Sequence, residues 1–167
     1  MDRSIMFNSA IQFMKEVHSG QLRIDGDEYY THPLRVAEML NEKGYDEYIQ
    51  IVGLFHDLLE DTDATEDQIK WYGGFFGESV LEAVKLLTKP NKYEMKSYIE
   101  GIKNNRMAKL VKLADRIHNL QCAVVANEKF KRKYIKETEE WYIDLAKGTR
   151  FEKDMNDAFY NLKSYIN

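Results

Sequence analysis

Apolar residues recur at intervals of three and four along most of the chain, a spacing typical of amphipathic helices. The pattern predicts a series of helical segments separated by short polar or glycine-containing connections. Their bounds are about 5–17, 32–43, 46–60, 65–72, 77–88, 93–103, 107–120, 130–147 and 151–166. No stretch alternates apolar and polar residues with a period of two. The sequence therefore predicts an all-α helical bundle with short connections.

Local signals mark several of the predicted helix ends. Pro33 suits the first turn of the second helix, because a backbone N–H is not needed at that position. Thr65 followed three residues later by Gln68 has the spacing of a capping box. The pair Gly73 and Gly74 is expected to end the helix that this box begins.

Composition narrows the class of protein. A chain of 167 residues fits one domain, over residues 1–167, and can bury a sizeable core. The single cysteine, Cys122, excludes an internal disulfide, and the sequence shows neither a signal peptide nor an apolar run long enough to cross a bilayer. We expect a cytoplasmic protein. The net charge of −4 gives no general attraction for nucleic acid or for a membrane surface.

The stretch Leu54–Thr62 places ionisable residues in an otherwise apolar, helix-like run. It contains His56, Asp57, Glu60 and Asp61. Because each residue of an α-helix advances about 100° around the axis, residues four apart share a face. If the helix continues through residue 60, the stretch has an apolar back that anchors it in a core and a polar front.

Two residues elsewhere complete a candidate metal site. His32 stands at the start of the second helix, and Asp115 interrupts the apolar face of segment 107–120. Singly, each has an ordinary explanation: His32 as a helix cap, Asp115 as the ion-pair partner of Arg116 or Lys112. Together with the His-Asp pair they supply two imidazoles and two carboxylates, which suit Mn²⁺, iron or Zn²⁺. Lys112, one turn before Asp115, is also placed to meet a phosphate oxygen.

Three segments carry a family resemblance: Thr31–Ala37, Leu54–Thr62 and Leu110–Leu120. Their histidines and aspartates resemble the H…HD…D signature of the HD-domain metal-dependent phosphohydrolases, an all-α superfamily. The extended HDLLEDT sequence and its flanking motifs are similar to the hydrolase domain of the RelA/SpoT family, which includes small, stand-alone alarmone hydrolases of similar length. The resemblance runs from about His18 to Gly148.

The resemblance implies a role for each matched residue and a reaction. The implied ligands of an Mn²⁺ ion are His32, His56, Asp57 and Asp115. The carboxylates implied to orient and deprotonate the attacking water are Glu60 and Asp61. The residues implied to border a guanine nucleotide are Arg23, Asn119 and Tyr142. The implied reaction removes the 3′-diphosphate of ppGpp or pppGpp and gives GDP or GTP and pyrophosphate.

The sequence departs from the family pattern at several positions, so alternatives to this reaction and substrate remain. Ile24 and Asp25 follow Arg23 where the long enzymes have a lysine and a small polar residue, and Asp144 stands in place of a proline. One alternative is an HD phosphohydrolase acting on the 2′-phosphate of NADPH or on a nucleoside monophosphate. The other is a non-catalytic module that binds an alarmone. The oligomeric state is left open by the sequence.

Overall fold

The computed structural model describes residues 4–23 and 26–166, and the regular structure in these ranges is helical. The α-helices are α1 (Ile5–Val17), α2 (Thr31–Glu42), α3 (Glu47–Phe55), α4 (Leu58–Asp61), α5 (Glu66–Tyr72), α6 (Gly77–Leu87), α7 (Met95–Asn104), α8 (Arg106–Cys122), α9 (Glu128–Glu137), α10 (Ile143–Ala146) and α11 (Glu152–Lys163). Among the described residues, β structure is limited to one isolated antiparallel bridge between Leu22 and Glu28. The predicted all-α class is confirmed.

Two compact units make up the chain, Met1–Val111 and Lys112–Asn167, and they are described separately. The prediction of a single domain over residues 1–167 stays a prediction. In the described part of the chain, no helix combines the length and the apolar character needed to span a membrane.

Helix α3 is the centre of the first unit. It packs against α1, α2 and α6, and every residue from Ile49 to Phe55 is buried. Gly53 permits the close approach of α2, because a Cβ atom at this position would lie 2.9 Å from the Cδ1 atom of Leu40. The packing of α2 against α3 positions the ends of these helices that carry the candidate ligands.

The continuous helix expected over residues 46–60 is wrong in one respect. Helix α3 ends at Phe55, and Asp57 has φ −119° and ψ 5°, which is not an α-helical conformation. The carbonyl of Asp57 then begins α4 by accepting hydrogen bonds from the N–H groups of Glu60, at 3.1 Å, and Asp61, at 2.9 Å. The arrangement of polar side chains along one helical face, expected from a continuous helix, therefore does not apply.

The second unit contains the C-terminal part of α8 and helices α9 to α11. Helix α11 packs against α9 and α10. The helix expected over residues 130–147 is interrupted by a π-helical turn, Thr138–Tyr142, which joins α9 to α10. The fully buried side chains of the second unit include Tyr142, Phe151 and Met155.

Candidate metal centre

Three of the four predicted metal ligands come together in the first unit. His32 lies in the first turn of α2, His56 follows the last residue of α3, and Asp57 lies between α3 and α4. One donor atom from each side chain lies within 4.8 Å of the other two, and all three residues are buried. Two imidazole nitrogens and a carboxylate oxygen at this separation suit a divalent cation.

A backbone contact fixes the orientation of the His56 ring. Its Nδ1 atom lies 2.8 Å from the carbonyl oxygen of Gly53. A carbonyl oxygen only accepts hydrogen bonds, so Nδ1 carries the proton and donates it. The Nε2 atom faces Asp57, at 3.6 Å from its Oδ2 atom. Donation from the second ring nitrogen to a carbonyl group is the usual support of a histidine that binds metal.

The Asp57 carboxylate is surrounded by polar side chains. The Tyr29 hydroxyl donates a hydrogen bond of 2.6 Å to Oδ2. Burial by itself raises the pKa of Asp57, but the imidazoles of His56, His18 and His32 and the Tyr29 hydroxyl outweigh it and hold the pKa well below its usual value. The carboxylate is therefore ionised and available to a cation.

His18 and Tyr29 are site residues that the sequence did not identify. His18 is buried, and its Nε2 atom lies 3.5 Å from Oδ1 of Asp57. Both atoms are buried without a hydrogen-bond partner. The Nδ1 atom of His18 contacts Oε1 of Gln21 at 2.8 Å, and the Gln21 amide nitrogen donates to the carbonyl of Asp61 at 2.7 Å. The only signals in the sequence were the scarcity of histidine, with four in the chain, and the closeness of Tyr29 to His32.

The two predicted catalytic carboxylates follow on α4 and are exposed to solvent. Oε2 of Glu60 accepts a hydrogen bond of 3.2 Å from the backbone N–H of Lys89. Oδ2 of Asp61 lies 3.3 Å from the hydroxyl of Tyr29. Partial burial raises the pKa of Asp61, and the negative charges of Asp57 and Glu60 raise it further. The Tyr29 hydroxyl thus contacts both a predicted metal ligand and a predicted general base.

Arg23, the residue predicted to contact a guanine ring, is half-buried in the loop between α1 and α2. Its backbone N–H donates to the carbonyl of Asp27 at 2.8 Å. Ile24 and Asp25, on which the departure from the family pattern depends, lie outside the described residues. The role of Arg23 at a nucleotide stays a prediction.

The fourth predicted ligand, Asp115, lies on α8 in the second unit and is buried. Its Oδ2 atom accepts a hydrogen bond of 2.8 Å from Nζ of Lys112, and its Oδ1 atom accepts one of 2.6 Å from Nδ2 of Asn119. Lys112 and Asn119, predicted to contact substrate, therefore hold the Asp115 carboxylate from the turns on either side. Tyr142 is fully buried, and its ring covers the guanidinium of Arg116 at 4.1 Å.

The pattern of ligands and helices matches a known family. The family model described as "HD domain" matches residues 10–149, which is most of the chain. The chain belongs to the HD-domain family. This HD domain is 40% identical over 147 residues to a guanosine-3′,5′-bis(diphosphate) 3′-pyrophosphohydrolase of Aquifex aeolicus; the match covers 82% of this chain and 20% of that protein.

Other relatives extend the comparison. The HD domain is 33% identical over 174 residues to a GTP pyrophosphokinase rsh of Brucella ovis, covering 97% of this chain and 23% of that protein. The chain thus spans about a fifth of the length of the curated relatives it matches. A solved structure of a metazoan ortholog of SpoT matches with a TM-score of 0.81 and 24% identity, over 96% of this chain and 97% of that one. This likeness confirms the helical HD fold.

Proposed function

We propose that this HD domain is a metal-dependent hydrolase that removes the 3′-diphosphate of ppGpp or pppGpp. The observation that carries the proposal is the buried set of His32, His56 and Asp57, with Glu60 and Asp61 one turn further along the chain. The Aquifex relative is named as a hydrolase of this class, and the metazoan ortholog of SpoT is described as hydrolysing ppGpp. Water and ppGpp would give GDP and pyrophosphate. The bond between the 3′ oxygen and the adjacent phosphorus would break, and the oxygen of water would form a bond to that phosphorus.

We assign His32, His56, Asp57 and Asp115 to an Mn²⁺ ion. The first three supply converging donor atoms, and the hydrogen bond of His56 to Gly53 fixes the orientation of its ring. A divalent cation bound there supplies charge neutralisation at the phosphate and a lower pKa for water. Asp115 is proposed as the fourth ligand because its carboxylate is buried and held in place by two hydrogen bonds.

Asp61 is proposed as the group that takes the proton from water. Its raised pKa brings it closer to the value at which a carboxylate accepts a proton well, and its exposure leaves it accessible. The hydroxyl of Tyr29 lies between Asp61 and Asp57 and orients the two carboxylates relative to each other. Glu60, held by the backbone N–H of Lys89, is proposed to position the water or the phosphate.

Substrate contacts are proposed for Arg23, Lys112 and Asn119. The Lys112 ammonium has three donors, so it can bind Asp115 and still meet a phosphate oxygen. Asn119 likewise keeps an amide oxygen as an acceptor for a ribose hydroxyl while its nitrogen donates to Asp115. The predicted contact of Tyr142 with the nucleotide is taken up in the next section.

A product assay with matched variants tests the proposal. We expect the wild-type protein with Mn²⁺ to release pyrophosphate and GDP from ppGpp. Asp61→Asn should lower kcat by about 10²–10⁴-fold, as loss of a general base does, and leave Mn²⁺ affinity unchanged. Asp63→Asn, an exposed aspartate two residues away, is the control and should keep full rate.

Two outcomes would reject the proposed reaction. Release of orthophosphate from NADPH or from a nucleoside monophosphate, with no pyrophosphate from ppGpp, would show a different HD phosphohydrolase. Tight binding of ppGpp without turnover at any Mn²⁺ concentration would show a binding module. Full rate in Asp61→Asn would leave the reaction intact and reject the assignment of the base.

A further inference from the structure

Residues from two parts of the chain contact the side chain of Arg116, which has no role in the proposed reaction. Arg116 belongs to the segment Leu110–Leu120, Glu137 is the last residue of α9, and Tyr142 is the last residue of the π-helical turn. Arg116 is buried, and its Nη2 atom donates to Oε2 of Glu137 at 3.1 Å. The guanidinium carbon lies 4.1 Å from the ring centroid of Tyr142 and 4.5 Å from that of Tyr134. Arg116 is thus held by one carboxylate and two aromatic rings, which we call the arginine clamp.

The arginine clamp stabilises the permanent positive charge of the buried Arg116 side chain. An arginine is protonated at any pH at which the protein is folded, so its burial requires favourable partners. Glu137 supplies a negative charge, and the faces of Tyr134 and Tyr142 supply the negative side of their quadrupoles. A planar guanidinium presents a flat face to an aromatic ring, which a lysine ammonium does not.

The π-helical turn Thr138–Tyr142 explains how Glu137 and Tyr142 reach the same guanidinium. In an α-helix, residues five apart point about 140° away from each other. A π turn has i→i+5 hydrogen bonds, so residues five apart approach one face. The hydroxyl of Thr138 donates to the carbonyl of Tyr134 at 2.7 Å, a bond that bends helices. The π turn therefore brings Glu137 and Tyr142 to the same guanidinium.

Tyr142 contributes its ring to this arrangement. The residue has no exposed surface, and its hydroxyl is buried without a hydrogen-bond partner. Its ring lies over Arg116, with the guanidinium carbon 4.1 Å from the ring centroid. This gives Tyr142 a physical role that does not involve a nucleotide.

Arg116 is next to Asp115 on α8. Successive residues of a helix point about 100° apart, so holding Arg116 on one side of α8 sets the direction in which Asp115 leaves the helix. Lys112 and Asn119 then fix the carboxylate itself. We propose that Arg116 is a positioning residue: the arginine clamp holds α8 so that Asp115 presents its carboxylate as a metal ligand. The inference rests on the proposed function, in which Asp115 binds Mn²⁺.

The test measures Mn²⁺ affinity on metal-stripped protein without nucleotide, by titration with electron paramagnetic resonance detection of free Mn²⁺. Arg116→Lys keeps a charge for Glu137 but loses the planar stack, and we expect Mn²⁺ to bind about 10-fold more weakly. At low Mn²⁺ kcat should fall, and saturating Mn²⁺ should restore it without a change in KM for ppGpp. Arg132→Lys, at an exposed arginine that pairs with Glu128, is the control and should change neither quantity.

Substitutions at Tyr142 separate the clamp from a nucleotide contact. Tyr142→Phe keeps the ring and should leave Mn²⁺ affinity and KM unchanged, whereas Tyr142→Leu should weaken Mn²⁺ binding as Arg116→Lys does. A 10-fold rise in KM for ppGpp in Tyr142→Phe, with Mn²⁺ affinity unchanged, would show that the hydroxyl serves the nucleotide and would overturn the inference. If Arg116→Lys does not fold, Glu137→Gln replaces it, with a few-fold loss of Mn²⁺ affinity expected.

Two further measurements keep this inference distinct from the proposed reaction. If Asp115→Asn leaves Mn²⁺ affinity unchanged, Asp115 is not a ligand and the inference fails. If Asp115→Asn weakens Mn²⁺ binding but folded Arg116→Lys only lowers Tm, the clamp is merely structural and the inference fails while the ligand set stands. If wild-type protein binds Mn²⁺ but does not hydrolyse ppGpp, the proposed reaction fails, and the Mn²⁺ titrations still decide the role of Arg116.

Discussion

Two of the buried polar clusters among the described residues, one in each compact unit, are built on opposite principles. The cluster of the first unit is formed by imidazoles and a carboxylate whose donor atoms converge. The arginine clamp of the second unit is formed around a permanent cation that the chain itself supplies. The first cluster suits a cation from solution, whereas the second already has one.

The two clusters also differ in which of their buried polar atoms lack a hydrogen-bond partner. In the first unit, Oδ1 of Asp57 and Nε2 of His18 are buried without a hydrogen-bond partner. In the arginine clamp the corresponding atoms are Nη1 of Arg116 and the hydroxyl of Tyr142. The Nε2 atom of His18 lies 3.5 Å from Oδ1 of Asp57, which is longer than an ordinary hydrogen bond, and a cation bound to the carboxylate stabilises it further. Stability measurements with and without metal can therefore distinguish the two clusters.

The largest effect is expected from Asp57→Asn. The neutral amide removes the negative charge of the Asp57 carboxylate, so Mn²⁺ affinity should fall by at least about 100-fold, and activity with it. Wild-type protein at 100 times the dissociation constant should gain about 2.7 kcal/mol from Mn²⁺, a stabilisation that the variant should lack. Calorimetric titration and thermal unfolding with and without Mn²⁺ measure the two quantities.

The matched variant in the arginine clamp is Tyr134→Phe, which keeps the ring over Arg116. We expect its response to Mn²⁺ to equal that of the wild type. If Asp57→Asn still gains stability from Mn²⁺ as the wild type does, the ion binds elsewhere and the contrast between the two clusters is lost.

A smaller effect is expected from Tyr29→Phe. The substitution removes the hydroxyl that donates to Asp57 at 2.6 Å and lies 3.3 Å from Asp61, but it keeps the ring. Loss of such a supporting hydrogen bond typically weakens metal affinity by about 10-fold. Because the same hydroxyl contacts Asp61, kcat at saturating Mn²⁺ should also fall. Tyr30→Phe, at the neighbouring tyrosine, is the control. Equal Mn²⁺ affinity in Tyr29→Phe and wild type would remove Tyr29 from the support of the site.

Local patterns predicted the helices well because their signals lie within a few residues of one another. The capping box of Thr65 and Gln68 forms with both of its hydrogen bonds, and α1 spans the expected residues 5–17. His32, His56 and Asp57 were identified because they occur in recognisable motifs, and the structure brings them together.

Features that depend on contacts between distant residues were missed. Tyr29 and Asp57 are 28 residues apart, and Tyr29 lies in a loop without periodicity. Their contact therefore could not be predicted from a pattern in the sequence. The helix breaks at Asp57, whereas the helical period of the sequence continues across this residue unchanged. The π turn before Tyr142 is likewise invisible to a count of apolar spacings.

The smallest effect is expected in the pH dependence of the free energy of unfolding of the metal-free protein. This dependence also distinguishes the two clusters. Burial alone lowers the pKa of His18, but its contacts with Asp57 and Gln21 outweigh burial and raise the pKa above 6.5. A raised histidine pKa means that the folded state binds the proton more tightly than the unfolded state. The stabilisation is fully present below pH 6.5 and is lost as pH rises through the raised pKa.

Urea unfolding of metal-stripped protein at several pH values above and below 6.5 measures this difference. The free energy of unfolding of the wild type should exceed that of His18→Gln most at the acidic end, and the gap should narrow as pH rises. The gap between wild type and Arg116→Lys should stay constant, because neither arginine nor lysine titrates near neutral pH. A constant gap for His18→Gln would show that His18 and Asp57 do not form an ion pair in the metal-free protein. In that case His18 would support Asp57 by packing alone.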